Sequence, residues 1–180
     1  ADKVSQLAES SQNGAEQISA SMNKMNLTES RYKVEKVGNK EVIMCLAKGQ
    51  SPIASSRVFE YITEQKSDCA VVLLNYDYHD QMESSENMAW IYEADYEFLN
   101  DDCVKQVVAG GKRCYDYKMR ALLAGVPEER IACALHPEGV VDLINVDAVD
   151  KIFILFAVYT RPKALEIREN LMERLNKGGK

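Results

Sequence analysis

The chain has 180 residues, a formal net charge of −6 and a 46% hydrophobic fraction. These values fit one globular domain with an additional N-terminal segment. The acidic balance argues against nucleic acid or an anionic membrane surface as the main partner, because both require a basic face. No apolar run is long enough to span a bilayer, so membrane insertion is not expected.

The cysteines indicate a reducing compartment. Their number is odd, no two form a C-x-x-C pair, and several lie in apolar runs, where a free thiol behaves as a small hydrophobe. Because the polar N-terminus is also unlike a signal peptide, we expect reduced core cysteines and a cytoplasmic location. His79 and His136 lack zinc-ligand spacing to any cysteine, so no metal site is expected.

Residues 1–29 and 30–180 differ in character. The first segment is rich in Ser, Gln and Asn, and its apolar residues recur at roughly helical spacing, interrupted by Asn13-Gly14. It predicts one weak helix or two short ones, the tail of a preceding domain or a linker. The second segment holds continuous apolar runs of strand length and predicts the compact domain.

Strands and helices are expected to alternate along the second segment. Strands are predicted at residues 31–37, 41–47, 69–75, 102–109, 130–135 and 151–159. Helices are predicted after a cap at Ser55 or Ser56, at residues 113–124 before Gly125, at 137–146, and from Pro162 onward. This alternation predicts an α/β, Rossmann-like three-layer domain with a mostly parallel sheet of about five to six strands.

In parallel sheets, binding sites lie beyond the C-terminal ends of the strands. Lys48 and Arg113 follow predicted strands and are candidate substrate contacts, with a surface ion pair as the equal alternative for Arg113. The pair Tyr159-Thr160, at the end of the last predicted strand, is a further candidate. Gly110-Gly111 after the fourth strand is a hint of anion binding or a plain tight turn. The chain has no G-x-x-x-x-G-K-[ST] loop, no G-x-G-x-x-G after a strand and no G-x-S-x-G elbow, so no cofactor is predicted to bind this chain by itself.

The connection from Asn75 to Glu97 is the longest and the richest in polar groups. It reads NYDYHDQMESSENMAWIYEADYE and contains the only tryptophan, Trp90. A histidine flanked by carboxylates is compatible with an acid/base pair or part of a metal site, and equally with a solvated acidic loop. Trp90, Tyr92 and Asp95 are candidates for anchoring this loop or for contacting a partner.

This connection resembles the C-terminal domain of MurT-type Mur ligases, the synthetase subunits of lipid II isoglutaminyl synthase. In that family it reads roughly N-D-N-x-A-D-G-x-D-x-S-W-I-[WY]-D-x-D-F-E. Residues in this connection and in other stretches of the chain agree with the family pattern and occur in the same order. They are Ser30-Arg31, Leu46 to Lys48, Asn75, Asp80, Ala89 to Glu93, Asp95 to Glu97, Gly111, Arg113, Arg120 and Tyr159-Thr160.

The resemblance implies an enzyme that amidates the D-glutamate carboxylate of the peptidoglycan precursor. Its implied partners are a GatD-like glutaminase subunit, which supplies ammonia, and an upstream Mur central domain, where ATP and Mg are expected to bind. The C-terminal domain docks the glutaminase and lends it an Asp that orients the catalytic His. A carboxylate there fixes the imidazole tautomer and stabilises the imidazolium.

Two departures from the family pattern fall at functional positions. The family Asp stands three residues before the Trp, where this chain has Asn87. Because the loop is also longer here, Asp80 and Glu86 are the rival catalytic candidates, together with Glu83. The N-P-x-G-x-N loop expected after Lys48 is missing as well. The alternatives to a ligase part are therefore a degenerate protein-binding module of the same fold or a small-ligand-binding Rossmann-like domain.

Overall fold

The structure, a computed structural model, describes residues 32–48, 50–75 and 88–178. The helical prediction for residues 1–29 and the domain division at residue 30 lie outside this part. Among the described residues, no helix combines the length and the apolar character needed to cross a membrane.

Six strands and five α-helices alternate along the described chain. The strands are β1 (Tyr32–Val37), β2 (Lys40–Leu46), β3 (Cys69–Leu74), β4 (Val104–Gly110), β5 (Ile131–Ala134) and β6 (Lys151–Phe156). The helices are α1 (Pro52–Glu64), α2 (Ala89–Glu93), α3 (Cys114–Leu123), α4 (Val140–Leu143) and α5 (Arg161–Gly178). Short 3-10 helices lie at Tyr96–Asn100, Glu128–Arg130, Pro137–Gly139 and Val146–Ala148.

The strands form one sheet in the order β1-β2-β6-β3-β4-β5. All neighbours pair in parallel except β1, which pairs antiparallel with β2 through a tight hairpin. The turn of this hairpin contains Gly38 at φ +59°, a left-handed conformation that glycine adopts without steric cost. The mostly parallel sheet of six strands confirms the predicted fold class.

The helices cover both faces of the sheet. On one face, α1, α2 and α3 pack against alternate strand residues such as Ile43, Val71 and Phe153. On the other face, α4 and α5 pack against the intervening residues, such as Ile152 and Val72. Because both faces are buried, the central strands read as continuous apolar runs, which is why the sequence predicted them.

The N-cap predicted for α1 was wrong. Ser51 is the N-cap, its hydroxyl accepts the Ala54 N–H at 3.4 Å, and Pro52 occupies the first helical turn. Pro52 fits there because the missing N–H would have no helical partner. Ser55 and Ser56 lie inside the helix, where the Ser56 hydroxyl donates to the Pro52 carbonyl at 2.9 Å.

Other boundaries were shifted or divided. The predicted helix 137–146 ends early: a 3-10 turn at Pro137–Gly139 runs directly into α4, and the helix stops at Leu143 because Ile144 is extended (ψ 120°). Strand β6 ends at Phe156 instead of Tyr159, and β4 begins two residues and ends one residue later than predicted. Residues 89–93 and 96–100 of the predicted loop are helical. The stop at Gly125 after α3 was correct, with φ +87°.

Candidate functional site

The C-terminal ends of the parallel strands bring several predicted residues to one edge of the sheet. Lys48 follows β2, and Tyr159 and Thr160 follow the adjacent β6, where the Ala47 N–H donates to the Phe156 carbonyl at 3.0 Å. Arg113 follows β4, which is two strands away from β6, a separation of about 10 Å. Lys48 and Tyr159 are exposed, as a contact to a bound molecule requires.

A cleft of about 810 Å³ opens at this edge, between the ends of β4, β5 and β6 and the start of α5. Its walls combine apolar and polar groups. The lining residues are Gly111, Lys112, Leu135, His136, Pro137, Glu138, Tyr159, Thr160, Pro162, Lys163 and Glu166. The cleft therefore contains the predicted Tyr159 and Thr160, whereas Lys48 and Arg113 lie outside its lining.

Thr160 closes the turn between β6 and α5. It is 3% exposed, and its hydroxyl both accepts the Ala157 N–H at 2.9 Å and lies 3.3 Å from the Ala157 carbonyl. Its own carbonyl accepts the Ala164 N–H at 2.9 Å, which starts the helix. The hydroxyl is thus engaged in local structure, and a direct role of Thr160 in substrate binding stays a prediction.

Electrostatics in the cleft are dominated by Lys163. Its ammonium donates to Glu138 at 2.7 Å and to Glu166 at 2.8 Å, and these hydrogen bonds raise the lysine pKa. The same contact with Lys163 lowers the pKa of Glu138. Lys112 and His136 are exposed on the rim. The cleft therefore holds one lysine between two partly exposed carboxylates, which leaves an excess of negative charge there, with the Lys112 ammonium exposed at the rim.

Gly111 shapes the floor of the cleft. Its N–H donates to the Ala134 carbonyl at 2.8 Å, and its φ of +90° turns the chain from β4 toward α3. Glycine is required for this conformation. Arg113 follows, partly exposed, with its guanidinium 3.9 Å from the Asp116 carboxylate of the first turn of α3. The Gly110-Gly111 pair is thus a tight turn at the edge of the cleft.

The second half of the polar connection is fixed to the domain by its aromatic residues. Trp90 is 4% exposed and packs edge-to-face on Tyr117 of α3, with ring centroids 6.3 Å apart. Tyr96 is fully buried and packs on Phe59 of α1 at 5.0 Å. The structure therefore places Trp90 in the core, where it anchors the connection, and leaves Tyr92 at 46% exposure.

Arg120 is the polar anchor of this segment, a role that sequence reasoning missed although the residue belongs to the family resemblance. It is 8% exposed, and its Nη2 donates to the Ala94 carbonyl at 2.8 Å and to both carboxylate oxygens of Glu97. Its guanidinium carbon also lies 5.2 Å from the Tyr96 ring centroid. Hydrogen bonds from Arg120 lower the pKa of Glu97.

Asp95 lies at a second cavity, of about 440 Å³, beside α1. Its backbone N–H donates to the Ser56 hydroxyl at 2.9 Å, and its carboxylate is exposed. Glu93 and Phe98 also line this cavity. Asp95 therefore fixes the chain through its backbone while its side chain stays available at the surface.

The catalytic candidates Asp80, Glu86 and Asn87, with Glu83 and His79, lie outside the described residues. Their roles stay predictions. The residue from which their loop departs is described: Asn75, fully buried at the end of β3, donates through Nδ2 to the Ser55 hydroxyl at 3.0 Å. Its Oδ1 has no hydrogen-bond partner among the residues that the structure describes. The described chain resumes at Met88, directly before α2.

Sequence reasoning identified the sheet edge but not the composition of the cleft. Lys112 follows β4, His136 follows β5, and Lys163 lies in the first turn of α5. These three elements are far apart in sequence. The available signal was their position beyond predicted strand ends. No group of three or more His, Cys, Asp or Glu side chains in residues 32–48, 50–75 and 88–178 is placed to hold a metal ion.

Known proteins resemble this chain in sequence and in fold. The family profile described as MurT ligase C-terminal matches residues 46–161. The MurT subunit of lipid II isoglutaminyl synthase (glutamine-hydrolyzing) from Streptococcus pneumoniae (strain ATCC BAA-255 / R6) is 32% identical over 139 residues. These residues are 77% of this chain and 29% of that protein. The chain therefore spans less than a third of the length of this curated relative.

Solved structures align with this chain at low sequence identity. A domain from a protein described as a UDP-N-acetylmuramate:L-alanyl-gamma-D-glutamyl-medo-diaminopimelate ligase of Haemophilus ducreyi 35000HP aligns with a TM-score of 0.50 and 13% identity. The alignment covers 81% of this chain and 99% of that domain. The MurF ligase of Thermotoga maritima in complex with ADP aligns with a TM-score of 0.48 and 15% identity, over 78% of this chain and 30% of that one.

The sequence comparisons are decisive for the family. The profile match extends from the end of β2 to the start of α5, and so includes every strand end that forms the edge described above. The same span includes the anchored segment from Ala89 to Glu97. This chain belongs to the MurT ligase C-terminal family.

Proposed function

We propose that this chain is the C-terminal part of an ATP- and glutamine-dependent amide ligase that acts on peptidoglycan precursor. The observation that carries the proposal is the 32% identity, over 77% of this chain, to a subunit whose name describes a glutamine-hydrolysing lipid II synthase. In this proposal the domain docks a GatD-like glutaminase subunit and faces an upstream Mur central domain. Its buried and partly buried free cysteines are consistent with a cytoplasmic location.

The proposed reaction joins two half-reactions. The D-glutamate carboxylate would take the terminal phosphoryl group of ATP in the upstream domain, where Mg would also bind, and ADP would leave. Hydrolysis of glutamine to glutamate would supply ammonia, which would displace inorganic phosphate from the acyl phosphate and form the amide. In this chain, Lys48 and Tyr159 are exposed at the edge that would face the acyl group, with Arg113 further along it. The proposal assigns Mg to the upstream domain because the family resemblance implies it there.

The proposed contribution to glutamine hydrolysis is a carboxylate or amide from the loop between Asn75 and Met88. Asp80, Glu86 and Asn87 are the candidates. A carboxylate beside the distal nitrogen of the partner's catalytic histidine would fix its tautomer and stabilise the imidazolium. An asparagine fixes the tautomer but does not offset the charge. The anchoring of residues 89–97 by Arg120 and Trp90 supports this role, since it gives the loop a rigid base.

Glutamine hydrolysis by the glutaminase subunit of the same organism, alone and mixed with this chain, tests the proposal. We expect stimulation by the parent chain, and loss of stimulation in Asp80→Ala or Glu86→Ala, whichever supplies the carboxylate. If Asn87 holds the position, Asn87→Asp increases the stimulation. Asp147→Ala is the matched control, because this exposed carboxylate precedes β6 at the opposite edge of the sheet. No stimulation by the parent would contradict the catalytic role.

A second candidate function is a binding module that keeps the partner surface but not the chemistry. Asn87 at the family Asp position and the missing N-P-x-G-x-N loop after Lys48 favour it. The same mixing experiment separates the two candidates. Stable binding to the glutaminase without stimulation, unchanged in Asp80→Ala and Glu86→Ala, would establish the module.

A further inference from the structure

Two of the five cysteines meet beside the cleft. Cys114 is the first residue of α3 and is fully buried, whereas Cys133 lies in β5 and is partly exposed. The Cys133 thiol donates to the Cys114 carbonyl at 3.4 Å, although the two residues are 19 positions apart in sequence. Both side chains pack on the same face of the sheet. The fold therefore brings two free thiols together at the junction of α3 and β5.

The two thiols also form a hydrogen bond with each other, and this bond makes them unequal. Burial raises the pKa of both, to about 11 for Cys133. Hydrogen bonds from the Tyr115 N–H and from the Cys133 thiol act against burial and lower the Cys114 pKa, whereas the contact with Cys114 raises the Cys133 pKa further. The shared proton therefore stays on Cys133, and Cys114, at the N-terminus of α3, is the sulfur that more readily carries negative charge.

A second pair of cysteines provides a comparison at the opposite edge of the sheet. The Cys69 N–H donates to the Cys103 carbonyl at 2.8 Å, and both side chains are buried. Burial, followed by a hydrogen bond with the Asp101 carboxylate, raises the pKa of the Cys103 thiol to about 11. This pair has neither an exposed thiol nor a helix N-terminus beside it, so it should react more slowly with an external reagent.

We propose that Cys114 and Cys133 form a reversible disulfide that joins α3 to β5 beside the cleft. The co-reactant is a small-molecule disulfide such as oxidised glutathione. The Cys133 thiolate attacks one sulfur of that disulfide, so a mixed disulfide forms and one glutathione leaves. The Cys114 thiolate then attacks the Cys133 sulfur and releases the second glutathione. Two protein thiols are oxidised, one external disulfide is reduced to two thiols, and the two protons pass from the cysteines to glutathione.

Access and proximity favour this pair over the other cysteines. Of the five cysteines, all of which lie in the described part of the chain, only Cys133 is not buried, so an external disulfide meets it first. The second step requires another thiol within reach of the mixed disulfide, and Cys114 is already in contact with Cys133. A reducing compartment keeps the pair as thiols, and the disulfide forms when the thiol pool becomes oxidised.

The disulfide would act on one wall of the cleft. Lys112 lies two residues before Cys114, Leu135 lies two residues after Cys133, and both line the cleft. Between them, the Gly111 N–H donates to the Ala134 carbonyl at 2.8 Å. A covalent link beside this hydrogen bond fixes the end of β5 to the start of α3. Oxidation should therefore slow the local opening of this edge strand.

Tryptic mapping of the folded 180-residue chain after treatment with oxidised glutathione tests the proposal. Mildly alkaline buffer increases the thiolate fraction. Without reduction, trypsin places Cys114 in the peptide 114–118 and Cys133 in the peptide 131–151. We expect these two peptides to be joined, and to separate again after dithiothreitol. A link between Cys69 and Cys103 is distinguishable, because both lie in the single peptide 67–105.

Variants and a physical readout complete the test. Cys133→Ser and Cys114→Ala should each abolish the joined peptide, whereas Cys103→Ala, in the comparison pair, should retain it. Oxidation of the parent should raise the melting temperature by about 5 °C or more, because the link constrains the unfolded chain. The same treatment should leave the melting temperature of Cys133→Ser unchanged, which controls for glutathione itself. Circular dichroism verifies that each variant is folded.

Three results would overturn the proposal. One is a stable glutathione adduct on Cys133 with Cys114 still open to alkylation, because the second step has then failed. Another is a link within the peptide 67–105 that forms before the joined peptides. The third is retention of all five thiols by the folded chain under conditions that oxidise the denatured chain. The glutaminase subunit takes no part in these measurements, so their outcome is independent of the proposed function.

Discussion

Arg120 is the side chain on which the position of the polar connection depends most. It is almost fully buried, and it joins α3 to the Ala94 carbonyl and the Glu97 carboxylate while lying over the Tyr96 ring. A buried guanidinium is stable only when its charge and its donors are compensated. The hydrogen bonds from Arg120 therefore hold the segment after α2 in place, and the acceptors of that segment in turn compensate the buried guanidinium.

Replacing Arg120 with Ala should lower the free energy of unfolding by about 2–4 kcal/mol, because a buried carbonyl and the aromatic packing lose their partner. Urea denaturation followed by circular dichroism measures the change. Glu97→Gln is the control and should cost less than about 1 kcal/mol, since the Glu97 side chain is 61% exposed. Equal losses of unfolding free energy in Arg120→Ala and Glu97→Gln would show that the exposed ion pair, and not the buried contacts of Arg120, provides the stabilisation.

Asp101 should make the protein sensitive to acid. Its carboxylate accepts the Cys103 N–H at 2.9 Å and the Lys66 ammonium at 3.0 Å. The hydrogen bond from the Cys103 backbone, followed by Cys103 Sγ and Lys66, lowers the Asp101 pKa to about 2. Since the folded pKa lies below the unfolded one, this stabilisation is complete above about pH 4 and is lost as the pH falls toward 2.

Asp101→Asn should therefore flatten the decline in stability between pH 4 and pH 2. The melting temperature across this range measures the effect, and Asp147→Asn at an exposed position of a 3-10 helix is the control. If the melting temperature of Asp101→Asn falls between pH 4 and pH 2 as steeply as that of the parent, Asp101 is not the group responsible for the acid sensitivity.

At the scale of elements, α4 approaches β4 so closely that the strand ends in a glycine. A Cβ on Gly110 would lie 2.6 Å from Leu74 Cδ2 and 2.6 Å from Val140 Cγ2. Leu74 and Val140 are both buried, so neither side chain has room to move aside. The absence of a side chain at Gly110 therefore sets the distance between the sheet and α4.

Gly110→Ala should destabilise the protein by about 1–3 kcal/mol through overpacking. Gly139→Ala is a matched control. Gly139 has a φ of −78°, and an added Cβ would meet only the Ala134 Cβ at 3.7 Å, an ordinary contact. Chemical denaturation of the two variants compares them directly, and equal stability would contradict the proposed close packing.

The sequence predicted elements well where their pattern was continuous and poorly where tertiary contacts decide. The apolar runs of β2, β3 and β6 were recognised because burial on both faces leaves no polar positions. The early end of the predicted helix 137–146 was not recognised, because it arises from the extended, fully buried Ile144. Likewise, the strand ends predicted the site edge, but the cleft combines elements whose adjacency follows only from the strand order.

At the scale of the whole molecule, the strand order predicts a gradient of local stability. Strands β3 and β6 are central and almost entirely buried, whereas β1 is partly exposed at one edge and β5 has four residues at the other. Backbone hydrogen bonds in the centre break only when the domain unfolds, whereas those at an edge break through local opening.

Native-state hydrogen exchange should therefore show the slowest amides in β3 and β6 and faster exchange in β5 and β1. Mass spectrometry of peptides from each strand measures this order. Protection of β5 equal to that of β3 would show that the sheet edge formed by β5 is covered in solution. Leu143→Glu, a change at an exposed residue of α4, should leave the order of exchange rates unchanged.

The antiparallel direction of β1 determines at which edge of the sheet the described domain begins. Tyr32 pairs with Cys45 near the C-terminal end of β2, so the chain enters the domain at the edge that holds Lys48 and Tyr159. A parallel β1 of the same six residues would have put the entry point about 20 Å away, at the opposite edge. The N-terminal end of the described domain therefore shares its edge of the sheet with the ends of the parallel strands, so a substitution at Tyr32 acts on the same edge as one at Lys48 or Tyr159.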